Sequence, residues 1–270
     1  MKVEQHLWRE AHGWDDALPG GSGLPAQLVI LFGSKEALRH SGALVAGKNA
    51  YPGAHWFGCS TAGEIGGIQV HDDTLVLTAI HFDATRVEGA RTRVGHPWES
   101  LTAGRFLGQA LNKEGLVHVM VLSDGLRVNG TALVSGLLES LPPDVTVTGG
   151  LSADGGRFEE TMVLWDGDPE PNAIAAIGFY GSRLRVGYGS LGGWDPFGPE
   201  RLITRSSGNV LYELDGRPAL DLYMEYLGEH AQGLPATGLR FPLSIRASGS
   251  DDPVVRTIMS VDKANGSVTF

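Results

Sequence analysis

The stretch Gly58-Cys59-Ser60-Thr61-Ala62-Gly63-Glu64-Ile65, called the signature segment below, decides how the rest of the sequence is interpreted. A short apolar run, Ala54–Phe57, leads into it, and small and hydroxyl side chains then replace the bulky ones. Glycines at both ends of the loop permit unusual backbone angles and a close approach of another group. A strand end that opens into such a loop is a common place for a small-molecule site. We therefore expect a strand over Ala54–Phe57 that ends in a ligand-binding loop.

The residues around the signature segment predict an α/β unit. Leu28–Phe32 is a short apolar run that predicts a buried strand. Ser34 follows as a candidate N-cap of a helix that ends near Gly47. A strand, helix, strand connection of this length predicts parallel neighbouring strands with a right-handed crossover. Residues 65–70 and 74–82 come next and predict an antiparallel hairpin.

The same order of elements recurs from residue 116 onwards. An apolar strand over 117–122, a helix over 131–141 and a strand over 145–148 lead to Gly150-Leu151-Ser152-Ala153-Asp154-Gly155, the second glycine loop. This loop takes the place of Gly58–Gly63, and residues 161–165 and 173–180 predict a second hairpin. Order and spacing therefore predict two copies of one unit.

These elements predict an α/β fold with mixed sheets, built from two pseudo-repeated strand-helix-strand-hairpin units over about residues 27–112 and 116–182. The hairpin strands 74–82 and 173–180 are apolar on both faces, which favours two sheets packed as helix, sheet, sheet, helix layers. A single continuous mixed sheet is the alternative. In either arrangement we expect the two glycine loops to lie near each other and to share one cleft.

The chain ends predict three regions. Residues 1–24 form a variable N-terminal segment, with a short amphipathic helix expected within residues 1–17, and residues 25–190 form the main domain. A bend rich in Gly and Pro at residues 192–199 follows a strand expected over 184–191. Residues 191–270 then predict a partial α+β domain with one helix after Gly216 and several short strands, among them 202–211, 241–246 and 254–261.

Composition excludes several classes of function. The 270 residues carry a formal net charge of −10 with scattered Lys and Arg, which argues against nucleic-acid and anionic-membrane partners. One cysteine excludes an intramolecular disulfide and indicates a reducing compartment. No secretory signal and no apolar run of membrane-spanning length are evident, so the sequence predicts a cytoplasmic protein.

A family resemblance adds to this interpretation. The signature segment resembles that of the FIST sensory-domain family, and Ser123-Asp124-Gly125, Asn129-Gly130 and residues 148–155 are further matches. Residues 192–199, 204–205 and 214–216 resemble the start of the associated C-terminal domain. The resemblance implies an intracellular ligand-binding module of signalling proteins, with amino acids or similar small metabolites as ligands. It also implies a truncated C-terminal domain, so we expect self-association through its last strands.

The candidate ligand-binding residues lie in and beside the two glycine loops. Hydroxyls and loop N–H groups of the signature segment would hold a carboxylate, and its glutamate would hold an ammonium group. In the second half, an aspartate would orient the ligand at a strand end and an asparagine would cap the next helix. The candidates are Cys59, Ser60, Thr61, Glu64, Asp124, Asn129, Gly150, Ser152 and Asp154.

The sequence thus predicts a small-ligand sensory module with an unidentified signalling protein as its partner. A protein–protein interaction scaffold of a signalling or F-box-like system is the alternative, and a hydrolase-type enzyme using Cys59 comes third. No catalytic residue is assigned. No cofactor is expected, because Walker, dinucleotide and zinc-type patterns are missing from the sequence. Asp72-Asp73 and the Asp166/Asp168 pair are expected to be solvated turn carboxylates rather than metal ligands.

Overall fold

The computed structural model describes residues 1–15, 18, 23–189, 193–249 and 253–270. The chain divides into two compact units. The N-terminal unit comprises Met1–Gly155 and Glu159–Tyr188, and the C-terminal unit comprises Gly156–Phe158 and Gly189–Phe270. Residues 190–192, which include the first residue of the expected bend, lie outside the described residues.

The N-terminal unit contains twelve strands and four α-helices among its described residues. Its strands are β1 (Lys2–Arg9), β2 (Gly13–Trp14), β3 (Leu28–Gly33), β4 (His55–Ser60), β5 (Glu64–Gly66), β6 (Gln69–His71), β7 (Thr74–His81), β8 (Arg86–Arg93), β9 (Leu116–Ser123), β10 (Thr146–Leu151), β11 (Val163–Trp165) and β12 (Ala173–Tyr180). Its helices are α1 (Lys35–Leu38), α2 (Ser41–Ala50), α3 (Ser100–Ala110) and α4 (Gly130–Ser140).

This unit contains two mixed sheets, and four neighbouring strands in each have the same sequence of parallel and antiparallel pairings. The first sheet runs β11-β4-β3-β7-β1-β2 and the second runs β10-β9-β12-β8. In both, a parallel pair is followed by two antiparallel pairs: β4-β3-β7-β1 in the first sheet and β10-β9-β12-β8 in the second. Helices α1 and α2 connect β3 to β4, and α4 connects β9 to β10. That the two halves descend from one repeated unit stays a prediction.

Three apolar clusters fill this unit and follow from the alternation of side chains along the strands. Val29 and Leu31 of β3 pack with residues of α1 and α2, whereas Leu28 joins a cluster between the sheets. In β12, Ile174 packs with residues of α3 and α4, whereas Ile177 joins the same inter-sheet cluster. The strands are therefore apolar on both faces, and the layers are helix, sheet, sheet, helix.

Helices α3 and α4 cover the second sheet through a close glycine contact. A methyl group at Gly104 would lie 2.2 Å from the carbonyl oxygen of Leu133, and one at Gly136 would lie 2.1 Å from that of Leu101. Both distances are shorter than any carbon–oxygen contact allows, so only glycine permits this approach of the helix backbones.

Several predicted elements of the N-terminal unit are wrong. The expected helix within residues 1–17 is strand β1, which pairs with β7 along its whole length because its side chains add to the same apolar core. Residues 65–70 do not pair with 74–82: β5 and β6 pair with each other, and β7 lies between β3 and β1. Likewise β11 pairs with β4 of the first sheet rather than with β12. Strand β8 has no counterpart in the prediction.

The C-terminal unit has its own small core. Its strands are β13 (Ile203–Ser207), β14 (Val210–Leu214), β15 (Arg217–Pro218), β16 (Leu243–Ile245), β17 (Val254–Arg256), β18 (Ser260–Asp262) and β19 (Ser267–Thr269), and its α-helix is α5 (Ala219–Leu227). Strands β13, β14, β19 and β18 form one sheet in that order, with β15 beside β14. Leu220 and Tyr223 of α5 pack against Leu211 and Val268 of this sheet.

The strands expected in this region have mixed outcomes. Residues 184–189 form no strand, residues 202–211 contain β13 and the start of β14, and the run 254–261 is divided into β17 and β18. The final strand β19 pairs on both sides, with β14 and β18, whereas β18 lies at the edge of this sheet.

Candidate functional site

The signature segment begins inside a strand rather than in a loop. Strand β4 extends to Ser60, so the strand predicted over Ala54–Phe57 is too short and two candidate residues, Cys59 and Ser60, are buried strand residues. A methyl group at Gly58 would lie 1.9 Å from the carbonyl oxygen of Leu31 in the adjacent strand. Gly149 in β10 has the same relationship to Val121, also at 1.9 Å. Gly58 and Gly149 therefore occupy equivalent positions in the two sheets. The predicted alignment, which placed Gly150 in the position of Gly58, differs by one residue.

The structure brings the two glycine loops together at Ser60. Its carbonyl oxygen accepts a hydrogen bond from the backbone N–H of Ala153 at 2.9 Å. Its own N–H donates to the carbonyl of Met162 at 2.9 Å, and its hydroxyl accepts from the N–H of Met162 at 3.0 Å. Every polar group of this buried residue is therefore used to connect the first half of the unit to the second.

Glu64, near the end of the signature segment, is buried and hydrogen-bonded to neighbouring residues. Its side chain is 1 % exposed, and its carboxylate accepts hydrogen bonds from the Thr61 hydroxyl at 2.6 Å and from the Thr74 hydroxyl and N–H at 2.8 and 3.2 Å. All three donors are uncharged. The buried charge is thus satisfied by hydrogen bonds, and Glu64 fixes the loop between β4 and β5 to the start of β7.

Asp124 is a second buried carboxylate that fixes a loop, here the loop that follows β9. Its Oδ1 accepts from the N–H groups of Leu126 and Arg127 at 2.9 and 2.7 Å. Its Oδ2 accepts from the Thr161 hydroxyl at 2.9 Å and from the N–H of Asn172 at 3.3 Å. Asp124 is buried, so these four bonds hold the loop after β9 against the segments on either side of β11.

The buried candidates of the second loop also bind backbone. Ser152 donates its hydroxyl and its N–H to the carbonyl oxygen of Ser123, at 2.9 and 2.8 Å. Asp154 accepts from the N–H groups of Glu159 and Glu160 at 2.8 and 3.1 Å. These bonds determine the path of the loop after β10 and leave both side chains buried.

Three candidates remain accessible. Thr61 is half-buried at the end of β4, and Gly150 is exposed in β10, where a methyl group would meet nothing within 4 Å. Asn129 is half-buried and caps α4 by accepting from the N–H of Ala132 at 3.0 Å, as predicted for a helix cap. Next to it, a methyl group at Gly130 would lie 3.8 Å from Leu151. Asn129 and Gly150 are thus both near the start of α4.

Cys59 lies in a buried, apolar environment, whereas a nucleophilic cysteine needs access and a stabilised thiolate. It is 3 % exposed and lies in the cluster between the two sheets. Burial raises the pKa of its thiol to about 12, so the reactive thiolate is disfavoured at neutral pH. This arrangement gives no support to a hydrolase mechanism based on Cys59.

Lys35 is a further candidate residue, which the sequence analysis did not include. It is buried at the first position of α1, directly after β3, and its ammonium lies 3.8 Å from a Glu159 carboxylate oxygen and 4.0 Å from one of Glu36. Two residues earlier, the carbonyl of Gly33 accepts from the N–H of Thr61 at 2.9 Å. A lysine at a strand end just after a candidate N-cap was the available signal.

The remaining features concern metals, membranes and cavities. In the part of the chain that the structure describes, no group of three or more His, Cys, Asp or Glu side chains is arranged to hold a metal ion. None of the described helices has the length and apolar character needed to cross a membrane. A cavity of about 350 Å³ in the C-terminal unit is lined by Leu220, Met224, Gly228, Ala231, Gln232, Leu234, Val261 and Lys263.

Comparison with known proteins identifies the family of the chain. Uncharacterized protein MJ1623 of Methanocaldococcus jannaschii is 31% identical over 90 residues, which are 33% of this chain and 17% of that protein. The model of the FIST N domain matches residues 27–217, and that of the FIST C domain matches residues 219–270. Because the first match alone covers more than half of the sequence, the chain belongs to the FIST family.

Proposed function

We propose that the chain is a small-ligand-binding sensory module whose ligand site lies on the accessible side of the two joined loops. FIST domains are sensory domains in signal transduction. The observation that carries the proposal is the hydrogen bond between Ser60 and Ala153, because it places the signature segment and the second glycine loop side by side. A cytoplasmic location stays a prediction, as does self-association through the C-terminal strands.

The candidate residues divide into two roles. The buried ones, Cys59, Ser60, Glu64, Asp124, Ser152 and Asp154, set the positions of the loops. The accessible ones, Thr61, Asn129 and Gly150, contact the ligand. This division follows from exposure, since a side chain whose polar atoms are all buried and bonded to the protein offers no free group to a ligand.

The charges at the loops favour a zwitterionic ligand such as an amino acid. The carboxylates of Glu64 and Asp124 are bound only by uncharged donors in the hydrogen bonds described above, so their negative charge attracts an ammonium group from nearby. Lys35 makes no hydrogen bond within 3.5 Å to the described residues. Among the described residues its ammonium has ion pairs of 3.8 and 4.0 Å to Glu159 and Glu36, which a ligand carboxylate would replace.

A thermal-shift screen of the full chain against free amino acids and common metabolites tests the proposal. A ligand at a hundred times its dissociation constant stabilises the folded state by about 2.7 kcal/mol, which for a chain of this size raises the melting temperature by roughly 5–10 °C. We expect Lys35→Met to abolish this shift for carboxylate ligands. A flat screen, with no ligand retained in native mass spectrometry of the purified protein, would overturn the proposal.

Variants that fill the accessible surface locate the site. Gly150→Leu places a side chain in open space without requiring a positive φ, and Ala62→Trp does the same on the exposed tip of the signature segment. Gly53→Leu is the matched control, because Gly53 is exposed, has no positive φ and has open space around it in the turn before β4. The first two variants should lose the ligand-induced shift, and the control should keep it.

A further inference from the structure

An apolar hairpin projects from the end of the signature segment. Strands β5 and β6 pair through Glu64 with His71, Ile65 with Val70 and Gly66 with Gln69. The side chains of Ile65, Ile68 and Val70 are 68 %, 101 % and 73 % exposed. These are β-branched aliphatic residues in a short ribbon, so their exposure is not the incidental exposure of single residues on a helix face.

The base of the β5–β6 hairpin is firmly held. Glu64 is its first residue, and its three hydrogen bonds to Thr61 and Thr74 fix the ribbon to the first sheet. Near the tip, the N–H of Gly67 donates to the Gln5 side chain in β1 at 2.7 Å. The hairpin therefore presents its apolar face from a fixed position, which suits a preformed contact surface.

The area of this apolar surface distinguishes between two binding partners, a second copy of the chain and a groove on a different protein. Three exposed aliphatic side chains offer on the order of 350 Å² of apolar surface. Two copies meeting through these residues would bury about 700 Å², whereas stable interfaces bury about 1,200–2,000 Å² in total. The hairpin alone is too small for a symmetric dimer, and it instead suits a groove that encloses its exposed apolar face.

The charge beside the hairpin defines the chemistry of that groove. Asp72 and Asp73 directly follow β6, are exposed, and pair with no cation among the residues that the structure describes. The chain as a whole carries a net charge of −10, which also opposes contact between two copies. We propose that the β5–β6 hairpin docks into an apolar groove flanked by Lys or Arg side chains on a different protein.

This inference goes beyond the sensory function and does not depend on the identity of the ligand. It is tested with random 12-residue peptides displayed on phage and selected on the immobilised full chain, followed by fluorescence-polarisation titration of the selected peptides. We expect peptides that combine apolar residues with Lys or Arg. The triple change Ile65→Ser, Ile68→Ser and Val70→Ser should weaken their binding by at least about tenfold.

Two controls make the test specific. Val254→Ser with Val255→Ser removes exposed aliphatic side chains from the C-terminal unit and should leave peptide affinity unchanged. Asp72→Asn with Asp73→Asn should weaken binding severalfold, and Asn is tolerated at position 73, where φ is 55°.

Three outcomes would overturn the proposal. In the first, the selected peptides lack basic residues or no peptide is selected. In the second, they bind the triple variant as tightly as the original chain. In the third, light scattering shows a stable dimer that the triple variant dissociates, which would identify a second copy of the chain as the occupant.

Discussion

The carbonyl oxygen of Ser60 accepts a hydrogen bond from the backbone N–H of Ala153, with 2.9 Å between the two atoms. Ser60 ends a strand of the first sheet, and Ala153 lies just beyond a strand of the second. The bond therefore joins two sheets that also pack against each other through an apolar cluster. It brings together two glycine loops that are nearly a hundred residues apart in the sequence.

Removing the carboxylate of Asp124 should be strongly destabilising. Asp124→Ala leaves the hydroxyl of Thr161 and three buried or partly buried N–H groups without their acceptor. We expect a loss of about 3–4 kcal/mol in the free energy of unfolding, measured by urea denaturation. The control Asp168→Ala removes a carboxylate that is 94% exposed and should change stability by less than about 0.5 kcal/mol. Equal losses would contradict the role assigned to Asp124.

The thiol of Cys59 should resist alkylation in the folded protein. It is buried between the sheets, and burial raises its pKa to about 12. At pH 8, iodoacetamide should therefore react at least about a hundredfold more slowly in buffer than in urea, where the thiol regains its ordinary pKa. Mass spectrometry of timed samples measures both rates. Rapid labelling without denaturant would show that the inter-sheet cluster opens or that Cys59 is reactive.

His118 should make stability depend on pH. Its ring nitrogens lie 2.7 and 2.8 Å from the hydroxyls of Thr146 and Thr148, and burial lowers its pKa below the usual range. The unfolded chain takes up a proton below about pH 6.5 while the folded chain does not, so stability is present above that pH and is lost as the pH falls.

Comparison of variants isolates this effect. Between pH 6.5 and 5.5 the contribution of His118 to the loss is at most about 1.4 kcal/mol. We expect the loss measured by urea denaturation to be smaller in His118→Gln by up to this amount. An unchanged dependence in His118→Gln would contradict the depressed pKa.

At the contact of α3 with α4, we expect glycine to be more stabilising than alanine, the reverse of their usual order inside a helix. Alanine is favoured over glycine by about 1 kcal/mol inside a helix, yet Gly136→Ala would push a methyl group to 2.1 Å from the carbonyl of Leu101. We expect this change to destabilise by about 2–3 kcal/mol. Gly130→Ala in the same helix would place its methyl group 3.8 Å from the side chain of Leu151, an ordinary contact distance, and should be neutral or slightly stabilising. Thermal denaturation of the two variants distinguishes the outcomes, and equal melting temperatures would contradict the close approach.

The sequence allowed the mixed α/β class and most helices to be predicted because their signals are local. Asn129 is an example: a capping residue before an apolar run identifies the start of α4 from a few neighbouring positions. The strand pairings were harder. Residues 163–165 pair with β4, about a hundred positions earlier, and no local pattern records which sheet a short apolar strand joins. Strand β1 was missed because His6 and Arg9 interrupt its apolar pattern.

In the candidate site, too, local features could be predicted from the sequence and tertiary contacts could not. Polar residues near the glycines were singled out from the sequence, but the exposure of their side chains depends on tertiary contacts. Glu64 is followed by exposed hairpin residues, and only its hydrogen bonds to Thr74 reveal that its carboxylate turns inward. For this reason loss of ligand affinity in Glu64→Ala would not identify a ligand contact, since the change also releases the loop.

The affinity of the strongest ligand from the screen, measured by isothermal titration calorimetry for variants of each loop, tests the central claim most directly. If both loops form one site, Ala62→Trp in the signature segment and Gly150→Leu in the second loop should each weaken binding by at least about tenfold. Gly53→Leu should bind like the original chain. A loss confined to one loop, or equal affinity in all three variants, would contradict a site shared by the two loops.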